Sequence, residues 1–511
     1  MSSAEAQVVP QPRGRSRRFR WIFLAPVLAL IALSAWAFAS PVGSSPDDDY
    51  HLVSTWCANG GSALCEPGSA EGTRVVASAF QDMICFIQIE EQSAQCQDWR
   101  AGSVETGRGN FAGEYPPVFY TVMHLFAGSD IQASAIVMRL VNAALFVALA
   151  TALAALLPAP RRDVLLWGWL VTLVPLGMFL IPSNNPSGWA ITGVGTAFLA
   201  LLGWFEASGR ARWALGALYI VGALMAAGSR GDASVYIVGA TITVLILTAA
   251  RTRQWGRLAI LPAAGIILAV VLLANAGQAG AGMGGLTGGG VANPDLGPAP
   301  DPGLRDPLTG LPLVAYNILQ LPFLWSGVWG TWELGWVDTE LPAIVPGAAV
   351  AAFVVVAFAG GGRLNWRKLI ASTGVLAVLI VLPVYVLSVG GDRVGRDLQP
   401  RYLLPLIVLF VMLLLVDPQR RALRFTRVQT LAILGGLAIA NLVALQVNIR
   451  RYITGTDSQG FNLDSGAEWW WQGVPFGPGA VWIVGSLAFA GLMAVLWTEL
   501  RPQAAATPIT R

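Results

Sequence analysis

Long runs of apolar residues, separated by short polar loops, recur along most of the 511-residue chain. A run of about twenty apolar residues is long enough for a helix to cross the hydrocarbon core of a bilayer. The pattern therefore predicts an all-α polytopic membrane protein with about twelve transmembrane helices, at residues 21–39, 131–157, 164–182, 187–205, 213–228, 232–250, 258–276, 341–360, 369–389, 403–417, 428–448 and 479–498.

The composition agrees with this pattern, since 55% of the residues are hydrophobic and only 12% are charged. Such a chain is not an ordinary soluble protein, and we expect no nucleic-acid partner. The predicted organisation is a basic tail at 1–20, a first helix at 21–40, an outer loop at 41–130, helices 2–7 at 131–276, an outer segment at 277–340, helices 8–12 at 341–498 with outer loops at 390–402 and 449–478, and a tail at 499–511.

Arginines mark one side of the predicted bundle. They cluster in the N-terminal tail and in alternate short loops, at 161–162, 210–212, 251–257, 363–368 and 420–427. Loops rich in Lys and Arg remain in the cytoplasm. Both termini are therefore predicted to be cytoplasmic, and the acid-rich loop 41–130 is predicted to lie on the outer side.

The first apolar run has two interpretations. It follows a basic tail and ends at Ala37-Phe38-Ala39, which is typical of a cleaved signal peptide. We expect a retained helix instead, because a retained helix would hold the acids that follow it at the membrane surface.

The outer loops carry patterns of their own. Apolar residues recur at helical spacing in 72–91 and in 115–127, which predicts amphipathic helices lying on the membrane surface. Residues 278–303 are rich in Gly and Pro, which favours a flexible lid or a disordered crossing. The aromatic residues between 316 and 336 favour a segment that lies at the interface or re-enters the bilayer.

All the cysteines, Cys57, Cys65, Cys85 and Cys96, lie in the first outer loop. An even number on the oxidising side predicts two disulfides. The simplest pairing is Cys57–Cys65 and Cys85–Cys96, although four cysteines allow three pairings. A zinc site is the alternative, but the chain has only two histidines and no Cys-x-x-Cys spacing.

Three consecutive acids, Asp47, Asp48 and Asp49, follow the first span and are followed closely by His51. Acids crowded where a membrane helix meets water repel one another and lose hydration, so a functional gain is expected to offset that cost. Asp47, Asp48 and His51 are therefore the predicted catalytic residues, with a carboxylate as general base for a hydroxyl acceptor. Binding of a divalent cation by Asp47 and Asp48 is a second possibility. A solvated charge run or a helix cap is the alternative.

Several arginines lie in loops predicted to be on the outer side, although most arginines of the chain lie in the predicted cytoplasmic loops and tails. Arg230, Arg396 and Arg401 are predicted to bind phosphate, because a guanidinium group matches phosphate oxygens. Pairing with neighbouring acids, such as Asp232 beside Arg230, is the alternative. Arg139 lies within the second span, so we expect it to face a polar cavity or an acid partner.

Four short motifs between residues 46 and 405 together resemble a known bacterial membrane family, domain of unknown function 2142. The segments are Pro46-Asp47-Asp48 with His51, similar to its PDE-x-x-H signature; Tyr115–Tyr120, similar to PPLYY; Asn184-Asn185-Pro186, where the family has an NND-like turn; and Gln399–Pro405, similar to QGRYLLP. Departures are an Asp in place of the signature Glu, a Pro in place of the acid of the turn, and a Pro in place of the Gly before Arg401.

That family resembles a branch of the GT-C superfamily of integral-membrane glycosyltransferases. The resemblance implies a polyprenyl-phosphate-linked sugar as donor, a glycan or glycolipid as acceptor and usually inversion at the anomeric carbon. It also implies an active site on the extracytoplasmic face of the bacterial cytoplasmic membrane. Asp47 or Asp48 would be the base, and Arg401 would hold the lipid phosphate. The groove would be lined by Tyr115, Tyr120, Asn184, Asn185 and Tyr402.

Two other functions fit part of the pattern. A polymerase or ligase of lipid-linked glycans would use outer arginines on a pyrophosphate and would not need the acid triplet. A transporter would explain Arg139 and the glycine-broken spans, although the chain shows no internal repeat. No cofactor beyond the divalent cation considered above is expected.

Overall fold

The computed structural model describes residues 22–100, 102–277, 308–395, 398–458 and 460–500. It is mostly helical, which confirms the predicted fold class. The Gly- and Pro-rich stretch 278–303 lies outside the described residues, and so does Arg396. The two predicted tails lie almost wholly outside them as well.

The α-helices follow one another along the whole described chain. In order they are α1 (Leu24–Phe38), α2 (Asp48–Trp56), α3 (Ala79–Asp82), α4 (Val118–Met123), α5 (Ile131–Leu156), α6 (Ala159–Leu173), α7 (Leu176–Leu180), α8 (Ser187–Glu206), α9 (Gly209–Ala227), α10 (Gly231–Thr248), α11 (Arg253–Leu258), α12 (Ile260–Ala274), α13 (Gly310–Ser326), α14 (Ile344–Gly361), α15 (Trp366–Gly390), α16 (Pro400–Leu415), α17 (Arg427–Ile453) and α18 (Pro478–Leu500).

Within the described residues, 9 helices are long and apolar enough to cross a membrane, and two shorter apolar helices are α1 and α16. All except Gly310–Trp329 coincide with predicted spans. The fifth predicted span is α9. The third is divided into α6 and α7, because Pro175 cannot donate the backbone hydrogen bond that would continue the helix.

The aromatic segment before residue 340 enters the bundle and returns to the same end. Along α13, Asn317 donates to the carbonyl of Asp392, just beyond α15, and Trp325 donates to the carbonyl of Leu379 in the interior of α15. The chain then comes back to Asp338, which pairs with Arg451 near the end of α17 at 2.9 Å. Of the two predicted placements, this path is that of a re-entrant segment.

The first outer loop contains a small antiparallel sheet, so the amphipathic helix predicted for 72–91 is wrong. Strands β1 (Cys65–Pro67), β2 (Arg74–Ala77) and β3 (Ser103–Thr106) pair in that order. The β-branched pair Val75-Val76 lies in β2, where it gains backbone partners from β3. Only α3 is helical in this stretch, and Phe80, Met83 and Phe86 are buried in the protein. The apolar spacing therefore reflects burial within the protein.

The other loop predictions are largely confirmed. Residues 118–126 form α4 and a short 3-10 turn, entered directly after Pro117. The buried side chains of α4, Phe119, Tyr120 and Met123, face protein, so the helix is not simply a surface one. Both predicted disulfides, Cys57–Cys65 and Cys85–Cys96, are present.

We call the end of the bundle that carries these disulfides the disulfide end. The opposite end is called the arginine end, and it comprises the loops at 157–162, 207–212, 249–257, 362–368 and 416–427.

Candidate active site

The three consecutive acids lie at the start of α2, and a sharp backbone turn separates their side chains. Asp47 precedes α2 with a φ of 61°, in the left-handed region that Asp tolerates better than most residues. Its carbonyl accepts the backbone N–H of His51 at 2.8 Å and so starts the helix. Asp47 and Asp49 consequently share Arg108, whereas Asp48 faces Arg139.

Asp47 lies between two guanidinium groups. Its Oδ2 accepts a hydrogen bond from Arg401 Nη2 at 2.6 Å, and its Oδ1 lies 3.5 Å from Arg108 Nη2. Its side chain is 35% exposed, whereas that of Asp49 is only 5% exposed. Burial alone would raise the pKa of the Asp47 carboxyl, but the charges of Arg401 and Arg108 outweigh it and hold the pKa below 3.8. Asp47 is therefore an ionised, accessible carboxylate at neutral pH.

Arg401 reaches Asp47 from the first turn of α16, directly after Pro400, a residue suited to the start of a helix. The guanidinium also donates to the carbonyl of Pro46 at 3.2 Å and to the hydroxyl of Tyr402 at 2.8 Å. Asn185 donates to the same Pro46 carbonyl at 2.7 Å. Three of the sequence motifs therefore meet at one turn of the chain.

Arg230 also belongs to this cluster, although it has the acid partner considered in the sequence analysis. It pairs with Asp232 at 2.9 Å. Its guanidinium carbon lies 4.6 Å from the centre of the Tyr402 ring and 5.7 Å from that of Tyr115. The guanidinium carbon of Arg401 lies 4.9 Å from the Tyr402 ring. Two of the predicted phosphate-binding arginines therefore share one aromatic ring.

Arg108 is a site residue that the sequence analysis missed. It pairs closely with Asp49 through its Nε and donates to Asp49 Oδ1 from Nη2 at 2.9 Å, while also approaching Asp47. One signal could have identified it, because a lone arginine between Gly107 and Gly109 stands out in an acid-rich loop.

Asp48 has an arginine partner of its own and is fully buried. Its Oδ2 accepts the N–H of Ser45 at 3.3 Å and lies 3.8 Å from Arg139. Asp48 is therefore the acid partner that the sequence analysis expected for Arg139. Burial raises the pKa of Asp48 to about 7, against the opposing charge of Arg139. Arg139 also donates to the carbonyls of Ala37 and Ser40. This pair therefore anchors α2 to the end of α1.

His51 is buried among tyrosines. Its Nδ1 is hydrogen-bonded to the Tyr120 hydroxyl at 2.8 Å, and its ring centre lies 5.4 Å from those of Tyr50 and Tyr115. Burial lowers the pKa of His51 to about 3, although Asp47 opposes the shift. The imidazole is therefore neutral at neutral pH, which suits a role in holding Tyr120 better than one in proton transfer.

The turn that carries the two asparagines closes the back of the site. Asn185 contacts Pro46 as described, and its Oδ1 accepts the N–H of Ser187 at 2.9 Å. Asn184 is 2% exposed, and neither of its side-chain polar atoms has a hydrogen-bond partner in the described part of the chain. Both predicted asparagines are thus close to the acid-bearing turn, but only Asn185 is shown to contact it.

These acids do not by themselves form a closed site for a divalent cation. In the described ranges, no group of three or more His, Cys, Asp or Glu side chains could hold a metal ion. Asp47 faces Arg401, and Asp48 faces Arg139. Carboxylates whose oxygens are directed at different arginines do not form the cage of six or more oxygens that Ca²⁺ takes, and Mg²⁺ held by one or two carboxylates would need substrate phosphates as further ligands.

Two hollows border Arg401 and α7. A narrow cleft of about 20 Å³ is lined by Arg401, Pro46, residues of α7 and the return after α13, and it has room for about one water molecule. An apolar groove of about 370 Å³ runs between α1, α5, α6 and α18 and reaches Met178 of α7. The short helix α7 thus has the narrow cleft beside Arg401 and the apolar groove as neighbours.

Comparison with known proteins identifies one family. A family model described as a predicted membrane protein, DUF2142, matches residues 30–410, which include every segment of the site. Neither the curated proteins nor the solved structures gave a significant match.

Proposed function

The chain belongs to the DUF2142 family of predicted membrane proteins, and from that premise we propose that this multi-pass membrane protein is a glycosyltransferase. It would transfer a sugar from a polyprenyl-phosphate donor to a glycan or glycolipid acceptor, with inversion at the anomeric carbon. The site would face the extracytoplasmic side of a bacterial cytoplasmic membrane.

One observation carries the proposal, namely the direct contact of a partly exposed carboxylate with a buried arginine. Asp47 and Arg401 are 354 positions apart in the chain and meet at 2.6 Å. A transferase of this kind needs a base for the acceptor hydroxyl and a positive group for the departing phosphate. Asp47 and Arg401 supply both groups in one place.

The contact between Asp47 and Arg401 also has a consequence for binding of the donor. A cleft of about 20 Å³ has no room for a sugar, so the donor phosphate must displace Asp47 from Arg401. Removal of that cation leaves the Asp47 carboxylate with a higher pKa, because an opposite charge at short range stabilises the ionised form. Binding of the donor thereby makes Asp47 a better base.

The proposed step is a single displacement. The acceptor oxygen forms a bond to the anomeric carbon as the bond from that carbon to the phosphate oxygen breaks. The acceptor proton passes to Asp47, and the electron pair of the broken bond leaves on the polyprenyl phosphate, whose charge Arg401 neutralises. Arg230 lies on the same Tyr402 ring and strengthens the positive potential there.

The apolar groove beside α7 supports a lipid-linked donor. It is lined almost wholly by apolar side chains of four helices, and its end at Met178 lies on the same short helix as Phe179, which lines the cleft beside Arg401. A polyprenyl chain could therefore lie in the groove while its phosphate approaches Arg401 around α7.

The direct test is transfer by purified protein in liposomes. We would supply a panel of polyprenyl-phosphate sugars with a cell-envelope glycan extract and measure release of the lipid phosphate. Wild-type protein should release it from one donor, and Asp47→Asn should not. Asp82→Asn, at an exposed acid of the same outer loop, is the control and should retain activity.

Two results would contradict the proposal. Absence of turnover with every donor in the panel would remove its support for a transferase. Full activity of Asp47→Asn would favour the polymerase or ligase alternative, because that chemistry does not need the acid.

A further inference from the structure

A second polar cavity lies at the arginine end, at the opposite end of the bundle from the candidate active site. Its volume is about 620 Å³, within the range of cavities that bind small molecules. Its walls come from the ends of α6, α8 and α10, from α11, from the start of α15 and from the loop after α16. None of these segments contributes to the site around Asp47.

The charges in this cavity are not balanced. Arg161 and Glu206 form a close pair, with Nη2–Oε1 at 2.7 Å and Nε–Oε2 at 3.0 Å, so the only acid in the lining is already neutralised. Arg420 lies 3.7 Å from the same carboxylate and is 56% exposed. Arg367 has no acid partner within the described ranges. Arg420 and Arg367 therefore give the cavity an excess of positive charge.

Two further features of this cavity favour the binding of an anion. Arg420 has a φ of 57°, an unusual conformation for a residue with a side chain, and the strain of such a residue is frequently associated with function. The indole N–H of Trp255 is buried without a hydrogen-bond partner in the described part of the protein, while its ring stacks on Phe205 at 6.1 Å. The cavity thus offers two guanidinium groups, and an unused N–H donor is buried in its wall.

The lining is also divided by polarity. Leu202, Phe205, Leu247 and Leu258 form an apolar wall, and Thr252, Gln254 and Asn365 form a polar one. Just after Leu258, Ile260 is 69% exposed, as expected for a helix that faces lipid. The Leu258 side of the apolar wall therefore adjoins a helix that faces lipid, whereas Leu202 belongs to the buried helix α8.

From these observations we propose that the cavity binds the phosphodiester headgroup of an anionic membrane lipid from the cytoplasmic leaflet. Arg367, Arg420 and the Trp255 N–H would bind the phosphate, and the leucine wall would contact the glycerol and the first acyl carbons. This proposal does not depend on the glycosyltransferase proposal, since the two sites share no residue.

The test measures binding of phosphatidylglycerol to the full-length protein in neutral detergent by native mass spectrometry. The variant Arg367→Gln/Arg420→Gln should bind it at least about tenfold more weakly, because each basic residue near a lipid surface contributes about 1 kcal/mol. The matched control, Arg210→Gln/Arg424→Gln, removes the same charge from exposed residues outside the cavity and should bind as wild type does.

Three results would overturn the proposal. Equal binding by the two double variants would mean that the cavity is not the site. Equal binding of phosphatidylcholine would mean that the negative charge is not recognised. Competition by glycerol 3-phosphate at the same concentration would mean that the apolar wall contributes nothing and that the ligand is a free phosphate ester.

Folding of the variants is checked by gel filtration and by the unfolding temperature without added lipid. If the double variant fails to fold, Trp255→Phe provides the second test. It keeps an aromatic ring beside Phe205, although a smaller one, and removes the N–H donor. It should weaken phosphatidylglycerol binding severalfold, and unchanged binding would contradict the proposed role of the indole.

Discussion

The two arginines to which we assign a phosphate at opposite ends of the bundle, Arg401 and Arg420, both lie beside an acid but are buried to different degrees. At the disulfide end, the Arg401 side chain is 4% exposed and contacts Asp47 at 2.6 Å. At the arginine end, the Arg420 side chain is 56% exposed and lies 3.7 Å from Glu206. A buried pair is weakly screened and depends strongly on geometry, whereas an exposed pair is weak and salt-sensitive.

The two ends also differ in the hydrogen-bond and charge partners that their arginines have. Arg401 is surrounded by a carboxylate, a backbone carbonyl and a tyrosine hydroxyl. At the arginine end, Asp417 is shared by Arg363 at 2.9 Å and Arg421 at 3.3 Å. The comparison shows that Arg401 is held in one geometry by several partners, whereas the carboxylate of Asp417 is divided between two arginines. The predictions below test that contrast, from the largest expected effect to the smallest.

The largest effect is expected at Arg401. Arg401→Gln removes the buried cation proposed for the leaving phosphate, so transfer should fall by about 10² to 10⁴. The measurement is the initial rate of lipid-phosphate release in liposomes. Arg210→Gln, at an exposed position of the arginine end, is the control and should retain the wild-type rate. A small loss in Arg401→Gln would mean that the buried arginine is structural.

Arg108 should have a smaller effect, expressed in the pH dependence of transfer. Its charge helps to lower the pKa of Asp47, and Asp47 must be ionised to accept a proton. Arg108→Gln should therefore raise that pKa and shift the acid limb of the pH–rate profile upward by about one unit. Arg100→Gln, which removes an exposed ion pair with Asp98 in the same loop, should leave the profile unchanged. A profile of Arg108→Gln identical to wild type would separate Arg108 from the site.

Replacement of Asp48 should change the stability of the protein and not the acid limb of the pH–rate profile. Its pKa is 3.8 when unfolded and about 7 when folded, so between those values the unfolded chain releases a proton that the folded protein retains. The contribution of Asp48 to the free energy of unfolding should therefore fall as pH rises from about 4 to about 7 and then level off, while the lowered pKa of His51 contributes in the opposite direction. Asp48→Asn should lose the Asp48 contribution, so its stability relative to wild type should rise over that pH range, whereas the stability of Asp82→Asn relative to wild type should stay constant. The measurement is the unfolding temperature in detergent across pH 4 to 8. An unfolding temperature of Asp48→Asn that depends on pH as that of wild type does would contradict the raised pKa of Asp48.

Salt should produce the smallest effect and should separate the two ends directly. Between about 0.05 and 0.5 M salt, screening weakens interactions of exposed charges more than those of buried charges. Phosphatidylglycerol binding at the arginine end should weaken severalfold, while the KM for the lipid donor should change less than about twofold. Equal salt dependence at the two ends would remove the contrast between them.

The sequence predicted some features because they depend on neighbours along the chain. Apolar runs specify membrane helices by length and composition, whatever they pack against. The disulfide pairing Cys57–Cys65 was accessible because both cysteines lie close together in one loop, and Cys85–Cys96 for the same reason.

Other features were missed or misjudged because they depend on distant partners. Residues 74–77 form a strand only because residues 103–106 lie beside them, and a short apolar pattern cannot reveal that partner. For the aromatic segment that includes α13, the sequence left open whether it lies at the interface or re-enters the bilayer, and the return of the chain to Arg451 decided between the two. Arg108 joins the site through a loop whose path the sequence does not show.

By itself, therefore, the sequence determined the class of the protein, the number and position of most helices, the disulfides and a short set of polar residues of the outer loops. Only the tertiary structure decided which acid is partly exposed, which arginine faces it and which acid is buried against Arg139. The physical reason is that composition and periodicity are local properties, whereas the charge and exposure of Asp47 depend on a guanidinium that arrives from 354 residues away.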